Sequence, residues 1–221
     1  MHFFDQDSGF NKYGSIIFDL IILNFMVAII TLFTLGIGFG ASITAMIFSI
    51  DRTLFEGNGY AFKNFLKSFK QNWKQATVIW FISAALIAFG QFSATVLGQA
   101  QGIFSVFAFV HLALIVEIVF ILIYTFPTLA LIEVDTKTLI TNSFVLAHKH
   151  LVSSLTCFVI ITCGVYLTLE LHGLLILFLI SGLGVLINQI VVRKVLMQYF
   201  TEEQKQTLFK NTMYTPKDSD Y

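Results

Sequence analysis

The feature that most constrains the fold is a series of apolar stretches, each about as long as a membrane-crossing helix. Hydrophobic residues make up 57% of the 221 residues and charged residues only 12%, which is too apolar for a single water-soluble core. A bilayer core of roughly 30 Å is crossed by about 20 apolar residues in an α-helix. The sequence therefore predicts an all-α, polytopic helical membrane protein with about five transmembrane helices.

Short polar segments separate these stretches and define the expected order of elements. The predicted spans cover residues 15–35, 76–97, 103–126, 151–171 and 174–192. Pro127 should end the third span, because proline lacks the N–H that a helix interior needs. We expect residues 1–195 to form one membrane domain and residues 196–221 to form a polar cytoplasmic tail.

A glycine triplet, Gly36, Gly38 and Gly40, follows the first span. Glycines before a helix can cradle phosphate, but no preceding strand or Walker lysine accompanies them here. Small residues let membrane helices approach closely, so we expect a backbone break and close packing. A short re-entrant or interfacial helix should follow at 41–55, although residues 15–50 could instead form two short spans.

Residues 60–74 carry the clearest helical periodicity. One side is apolar and the adjoining flank is basic: Phe62, Phe65, Phe69 and Trp73 against Lys63, Lys67, Lys70 and Lys74. This pattern predicts an amphipathic helix in the membrane interface, with its lysines at anionic headgroups of the cytoplasmic face. Alternatively, the aromatic side chains could anchor a partner, such as the cytoplasmic part of a transporter.

A second amphipathic helix is expected at 136–150, with Asp135 as its N-cap. Lys and Arg occur in the first and third loops and after the fifth span, whereas the second and fourth loops have none. The positive-inside rule then places the N-terminus outside and the C-terminus in the cytoplasm. The net charge of +0 gives no indication of a nucleic-acid partner.

Glu117 is the main intramembrane candidate, because it lies near the middle of the third span. A carboxylate there is costly and is usually paired, protonated or exposed to a watery cavity. It could lie on a proton or solute path, or it could be a protonated group bonded across helices to Asn24, Gln91 or Asn188. Both interpretations remain open, and Asn24 and Asn188 are the other intramembrane polar candidates.

Motifs for catalysis or metal binding are not apparent in the sequence. Cys157 and Cys163 lie six residues apart and point in different directions on a helix, so they should not bridge each other. We find neither a His-Glu-x-x-His motif nor a paired-cysteine motif, and no recognisable Ser-His-Asp arrangement. We therefore expect no metal, no cofactor and no enzymatic activity.

Several segments carry a family likeness. They are Leu23-Asn24, the run Gly40-Ala41-Ser42-Ile43-Thr44-Ala45, Glu56-Gly57, the run from Phe65 to Thr77, and the run Leu146-Ala147-His148-Lys149-His150-Leu151. Together, over residues 16–192, the chain resembles the YesL-like family of small bacterial integral membrane proteins. It departs from that family where Leu35 and Gly38 replace a proline that ends the first span and a threonine before Gly-Ala-Ser.

The resemblance implies a location in the bacterial cell membrane and an auxiliary role linked to sugar uptake, in a family without an established biochemical activity. We therefore expect a non-enzymatic accessory or regulatory component of carbohydrate or solute uptake. A sugar transporter or another membrane protein is the expected partner. The alternative is a small transporter or channel-like bundle with Glu117 in the solute or proton path. The sequence does not predict an oligomeric state.

Overall fold

A computed structural model of the chain describes residues 9–57, 60–99, 104–170 and 176–200. These ranges are helical and contain no strand, which confirms the all-α prediction. The elements are α1 (Gly9–Phe33), α2 (Phe39–Ile50), α3 (Ala61–Gly98), α4 (Phe104–Leu131), α5 (Thr136–Lys149), α6 (Leu151–Glu170) and α7 (Ile176–Ile187). Two of them continue as π-helices, α2 through Asp51–Phe55 and α7 through Asn188–Val195, and a 3-10 turn follows at Leu196–Gln198.

Four helices in the described part are long and apolar enough to cross a membrane. They are Gly14–Phe33, Ala61–Gly98, Val106–Leu131 and Ile180–Gln198. A fifth candidate is the pair Thr136–Lys149 and Leu151–Leu167, which passes the same test only as a broken unit bent by 98°. Four or five candidate spans agree with the multi-pass architecture expected from the sequence. The starts of the predicted third and fifth spans, the end of the fourth and residues 201–221 lie outside the described ranges.

The helix α2 occupies the middle of the bundle. It contacts α1, α3, α4 and α7, and every residue from Gly40 to Ile50 is buried except Ile43. We expected a short re-entrant or interfacial helix at 41–55, and a short helix with a π-helical continuation occupies this stretch. Its small residues allow neighbouring helices to come close.

The helix α3 is continuous where the sequence suggested two elements. The interfacial helix expected at 60–74 and the span expected at 76–97 form one helix of 38 residues. No proline interrupts it and its first interior glycine is Gly90, so the backbone hydrogen bonds run on past residue 75. The segment expected at the interface is therefore joined without a break to a candidate span.

Pro127 does not end α4, contrary to the prediction from the sequence. The helix includes this proline and continues to Leu131. Prolines are tolerated in membrane helices where neighbouring groups satisfy the freed backbone atoms. The flanking Phe126 and Thr128 are buried in the bundle, so packing from other helices supports the last turn of α4.

Candidate functional site

A network of buried charges lies where the π-helical end of α2 meets the π-helical end of α7. Arg193 Nη2 lies 2.9 Å from Asp51 Oδ1 and 3.7 Å from Glu56 Oε1. Arg52 Nη1 pairs with Glu56 Oε2 at 2.5 Å. The side chains of Asp51, Arg52 and Glu56 are almost completely buried, and Arg193 is partly exposed. Two cations and two anions thus balance each other; we call these four residues the ionic network.

Burial dominates the electrostatics of both carboxyl groups in the ionic network. It raises the pKa of Asp51, and the opposing charges of Arg193 and Arg52 lower that pKa without cancelling the effect. Burial also raises the pKa of Glu56, against the lowering effect of Arg52. A carboxylate in this setting depends on its arginine partner, because an isolated buried charge is very unfavourable.

Aromatic rings and an amide complete the surroundings of the ionic network. The Arg52 guanidinium lies 5.3 Å from the centre of the Phe48 ring, and that of Arg193 lies 5.1 Å from the Phe55 ring. Asn188 is buried at the start of the second π-helix and donates from Nδ2 to the Ile47 carbonyl at 3.3 Å. π-helical turns often occur at functional sites; here two of them bring these groups together and join α2 to α7.

Sequence reasoning identified Asn188 but missed the ionic network. Asp51 and Arg193 are 142 residues apart in the chain, so no local pattern links them. In the sequence, Arg52 and Arg193 count only among the basic residues beside the spans that indicate orientation. One signal in the sequence could have indicated it. Asp51 and Arg52 directly follow an apolar helix, and if that helix is buried these charged side chains are buried with it and need partners.

Asn24 joins α1 to α7 through a reciprocal pair of hydrogen bonds. Its Nδ2 donates to Ser181 Oγ at 2.8 Å, and the Ser181 backbone N–H donates to Asn24 Oδ1 at 2.8 Å. Both residues are buried. Asn24 therefore fixes the packing of two helices, and its amide is engaged there rather than at Glu117.

Glu117 lies on α4, with its carboxylate close to a histidine from α5. His148 Nε2 is 3.5 Å from Glu117 Oε2, and the two side chains are 45% and 32% exposed. The cross-helix partner expected from the sequence was Asn24, Gln91 or Asn188; the structure provides His148 instead. The two side chains meet because α5 packs back against α4.

Gly36 and Gly38 lie in the turn between α1 and α2, and Gly40 lies in the first turn of α2. Gly36 has a φ of 85° and follows Leu35 at 51°, which is the left-handed region that favours glycine. The Gly36 carbonyl accepts a hydrogen bond from Trp80 Nε1 at 2.9 Å, and the Gly38 N–H donates to Thr34 Oγ1 at 2.9 Å. The backbone at Gly40 touches α3 so closely that an added Cβ would lie 2.5 Å from Trp80 Cβ.

The first half of α3 presents its lysines outward and most of its aromatic side chains inward. Lys63, Lys67, Lys70 and Lys74 are all exposed. Phe65 is fully buried, and Phe69 and Trp73 are partly buried against the core. Phe65 is therefore occupied within the protein, whereas Phe69 and Trp73 keep part of their surface exposed. Among the aromatic residues proposed as anchors, Phe62 is the one left exposed, at 53%.

Across the described ranges, no group of three or more His, Cys, Asp or Glu side chains is arranged to hold a metal ion. The two cysteines are free, Cys157 buried and Cys163 exposed. The polar groups described above make contacts between helices. What they do in this structure is hold helices together, and Glu117 and His148 bring a carboxylate and an imidazole to within 3.5 Å of each other.

Comparison with known proteins finds a matching family over part of the chain. A family described as "Protein of unknown function, DUF624" matches residues 20–94, which include most of α1, all of α2 and most of α3. The chain is similar to this uncharacterised family over that stretch. No curated protein and no solved structure matches the chain.

Proposed function

We propose that this chain is a non-enzymatic, multi-pass protein of the bacterial cell membrane that serves as an accessory or regulatory component of carbohydrate or solute uptake. The observation that carries the proposal is the position of α2. Its buried residues from Gly40 to Ile50 occupy the middle of the bundle, where a transporter would need a path for its solute. A packed centre suits a protein that acts by binding others.

The outer surface of the spans supports the same proposal. In the most apolar part of each candidate span, 17%, 17%, 22% and 39% of the residues are buried within the chain, taken in chain order. Much of the apolar surface is therefore available to lipid or to another membrane protein. The association with sugar uptake rests on the resemblance to the YesL-like family, and the proposed partner is a sugar transporter.

Crosslinking in native membranes tests this proposal. A photoreactive amino acid would replace Phe62, which is exposed, and in a matched control Phe65, which is fully buried. We expect the Phe62 variant to capture a subunit of a solute transporter that also co-purifies with the unmodified chain in mild detergent. Repeated recovery of the chain without any membrane partner would contradict the proposal.

A small transporter is the second candidate, and the contact between Glu117 and His148 favours it. A carboxylate on the candidate span α4 lies 3.5 Å from an imidazole on α5, and an ionisable group within a span can mark a proton path. This alternative predicts that Glu117→Gln abolishes solute flux in reconstituted vesicles while expression is unchanged. The absence of flux in the unmodified protein for every sugar and ion tested would contradict it.

A further inference from the structure

The helix α3 is longer than a membrane is thick. Its 38 residues correspond to about 57 Å, whereas the hydrocarbon core measures about 30 Å and the whole bilayer about 40–45 Å. The second part of the helix, residues 76–98, contains no Lys, Arg, Asp or Glu and is about 34 Å long, enough to cross the core. The first part, which begins at Ala61, must therefore continue out of the bilayer.

The positions of the lysines along the axis place them at different heights above the membrane. Lys74 directly precedes the apolar part, at headgroup level. Lys70, Lys67 and Lys63 follow at about 6, 10 and 16 Å farther out, but a headgroup layer is only about 5–8 Å thick. A typical tilt of about 20° changes these heights by less than a tenth. With residues 76–98 across the core, the Cα atoms of Lys63 and Lys67 thus lie beyond the headgroups.

The four lysines form one straight row. They are spaced four, three and four residues apart, so at 100° per residue they fall within about 60° of one another over a length of about 16 Å. All 38 residues of α3 are free of Asp and Glu. Beside the row, Gln71 Nε2 donates to the Glu133 carboxylate, which ties α3 to the segment after α4. We call Lys63, Lys67, Lys70 and Lys74 the lysine row.

The opposite face of the same segment holds the lysine row in place. Phe65, Ser68 and Asn72 are buried against the bundle, and Gln75 Nε2 donates to the Val134 carbonyl at 2.9 Å. The helix that carries the row is therefore fixed before any partner arrives. Such preorganisation reduces the entropy lost on binding.

We propose that the lysine row binds an acidic helix of a cytoplasmic protein, with carboxylates at the same four, three, four spacing. This rests on the proposed function, since it identifies the contact by which an accessory protein would engage its partner. The positive-inside rule assigns the row to the cytoplasm. Anionic lipid headgroups reach Lys74 and the base of the row, and screening over about 8 Å weakens their effect on Lys63. A protein surface can engage all four lysines together.

A binding measurement tests this with the full chain in nanodiscs of zwitterionic lipid. The probe is a labelled helical peptide of about 18 residues with four glutamates at the matching spacing, and the control peptide has the same composition with its glutamates distributed around the helix. We expect the matched peptide to bind more tightly. Each exposed ion pair contributes about a twofold change in affinity, so substitution of all four lysines by glutamine should weaken binding by roughly sixteenfold.

Four results would overturn the inference. Equal binding of both peptides would contradict the matched spacing. Lys137 lies on α5, outside the row, and if Lys137→Gln weakened peptide binding as much as the quadruple variant does, a specific role for the row would be excluded. Loss of peptide binding when anionic lipid is added to the nanodiscs would show that the row is covered by headgroups. If the quadruple variant still co-purifies with a transport partner, the role of the row fails while the proposed function stands.

Discussion

The substitution Gly40→Ala examines the packing that places α2 inside the bundle. An added Cβ would lie 2.5 Å from Trp80 Cβ and 2.8 Å from the Ala76 carbonyl oxygen. The second of these atoms belongs to the backbone of α3, so no side-chain rotation can relieve the overlap. Either α2 or α3 must move, and that movement would strain the hydrogen bond from Trp80 to the Gly36 carbonyl.

The expected magnitude follows from two opposing effects. Alanine is favoured over glycine inside a helix by about 0.5–1 kcal/mol, and overpacking a close contact costs about 1–3 kcal/mol. Gly182 provides a matched control, because it lies within α7 and an added Cβ there has nothing within 4 Å. Gly40→Ala should be destabilising by about 1–2 kcal/mol, whereas Gly182→Ala should be neutral or stabilising by up to about 1 kcal/mol.

Thermal unfolding of the purified protein in one detergent measures the difference. A gap of about 2 kcal/mol corresponds to roughly 4–8 °C in Tm for a chain of this size. We expect Gly40→Ala to unfold below the unmodified protein and Gly182→Ala at or above it. Equal Tm values for the two variants would refute the close approach of α2 to α3.

Three further predictions concern polar contacts that the structure places between or at the ends of helices. Arg193→Met should lower the free energy of unfolding by about 3–5 kcal/mol, because it removes the cation paired with the buried Asp51. Adding Asp51→Leu should recover much of that loss. A coupling energy near zero in this double-mutant cycle would be inconsistent with the ion pair. Asn24→Ala should cost about 1–3 kcal/mol and more than Ser181→Ala, because it removes both hydrogen bonds rather than one; equal losses in a thermal shift would contradict this. Hydrogen bonds from the N-terminus of α5, above all from the Thr138 N–H, hold the pKa of Asp135 below its usual 3.8. The stability that the ionised cap contributes is therefore fully present above pH 3.8 and is lost as the pH falls through the lowered pKa. The Tm difference between the unmodified protein and Asp135→Ala should therefore shrink in acid, with Asp135→Asn as the uncharged control, and a difference independent of pH would count against an ionised cap.

Local sequence patterns were sufficient for the class of fold and for most helices. Apolar runs of about 20 residues predict spans because the bilayer thickness sets helix length. Asp135 caps α5 as expected, accepting from the Thr138 N–H at 3.0 Å. Such features depend on neighbours in the chain, and for that reason they can be predicted without knowledge of the packing.

The structure differs from the predictions where packing between distant segments decides which helix ends, faces and contacts form. The periodicity around Phe65 indicates an apolar face but does not distinguish a face that contacts lipid from one that contacts protein. Whether α4 ends at Pro127 depends on the helices packed around it. The pairing of Asp51 with Arg193 depends on the approach of α2 to α7. The partner of Glu117 likewise depends on α5 folding back along α4.

The most direct test of this account is the distance between spin labels at Lys63 and Thr95, measured by pulsed electron paramagnetic resonance. Both positions are exposed and lie on α3, and exposed Cys163 would first be replaced by serine. A continuous helix predicts a separation of about 48 Å. An interfacial helix that turned by a right angle near residue 75 would give about 35 Å, and that result would contradict both the projecting lysine row and its proposed role.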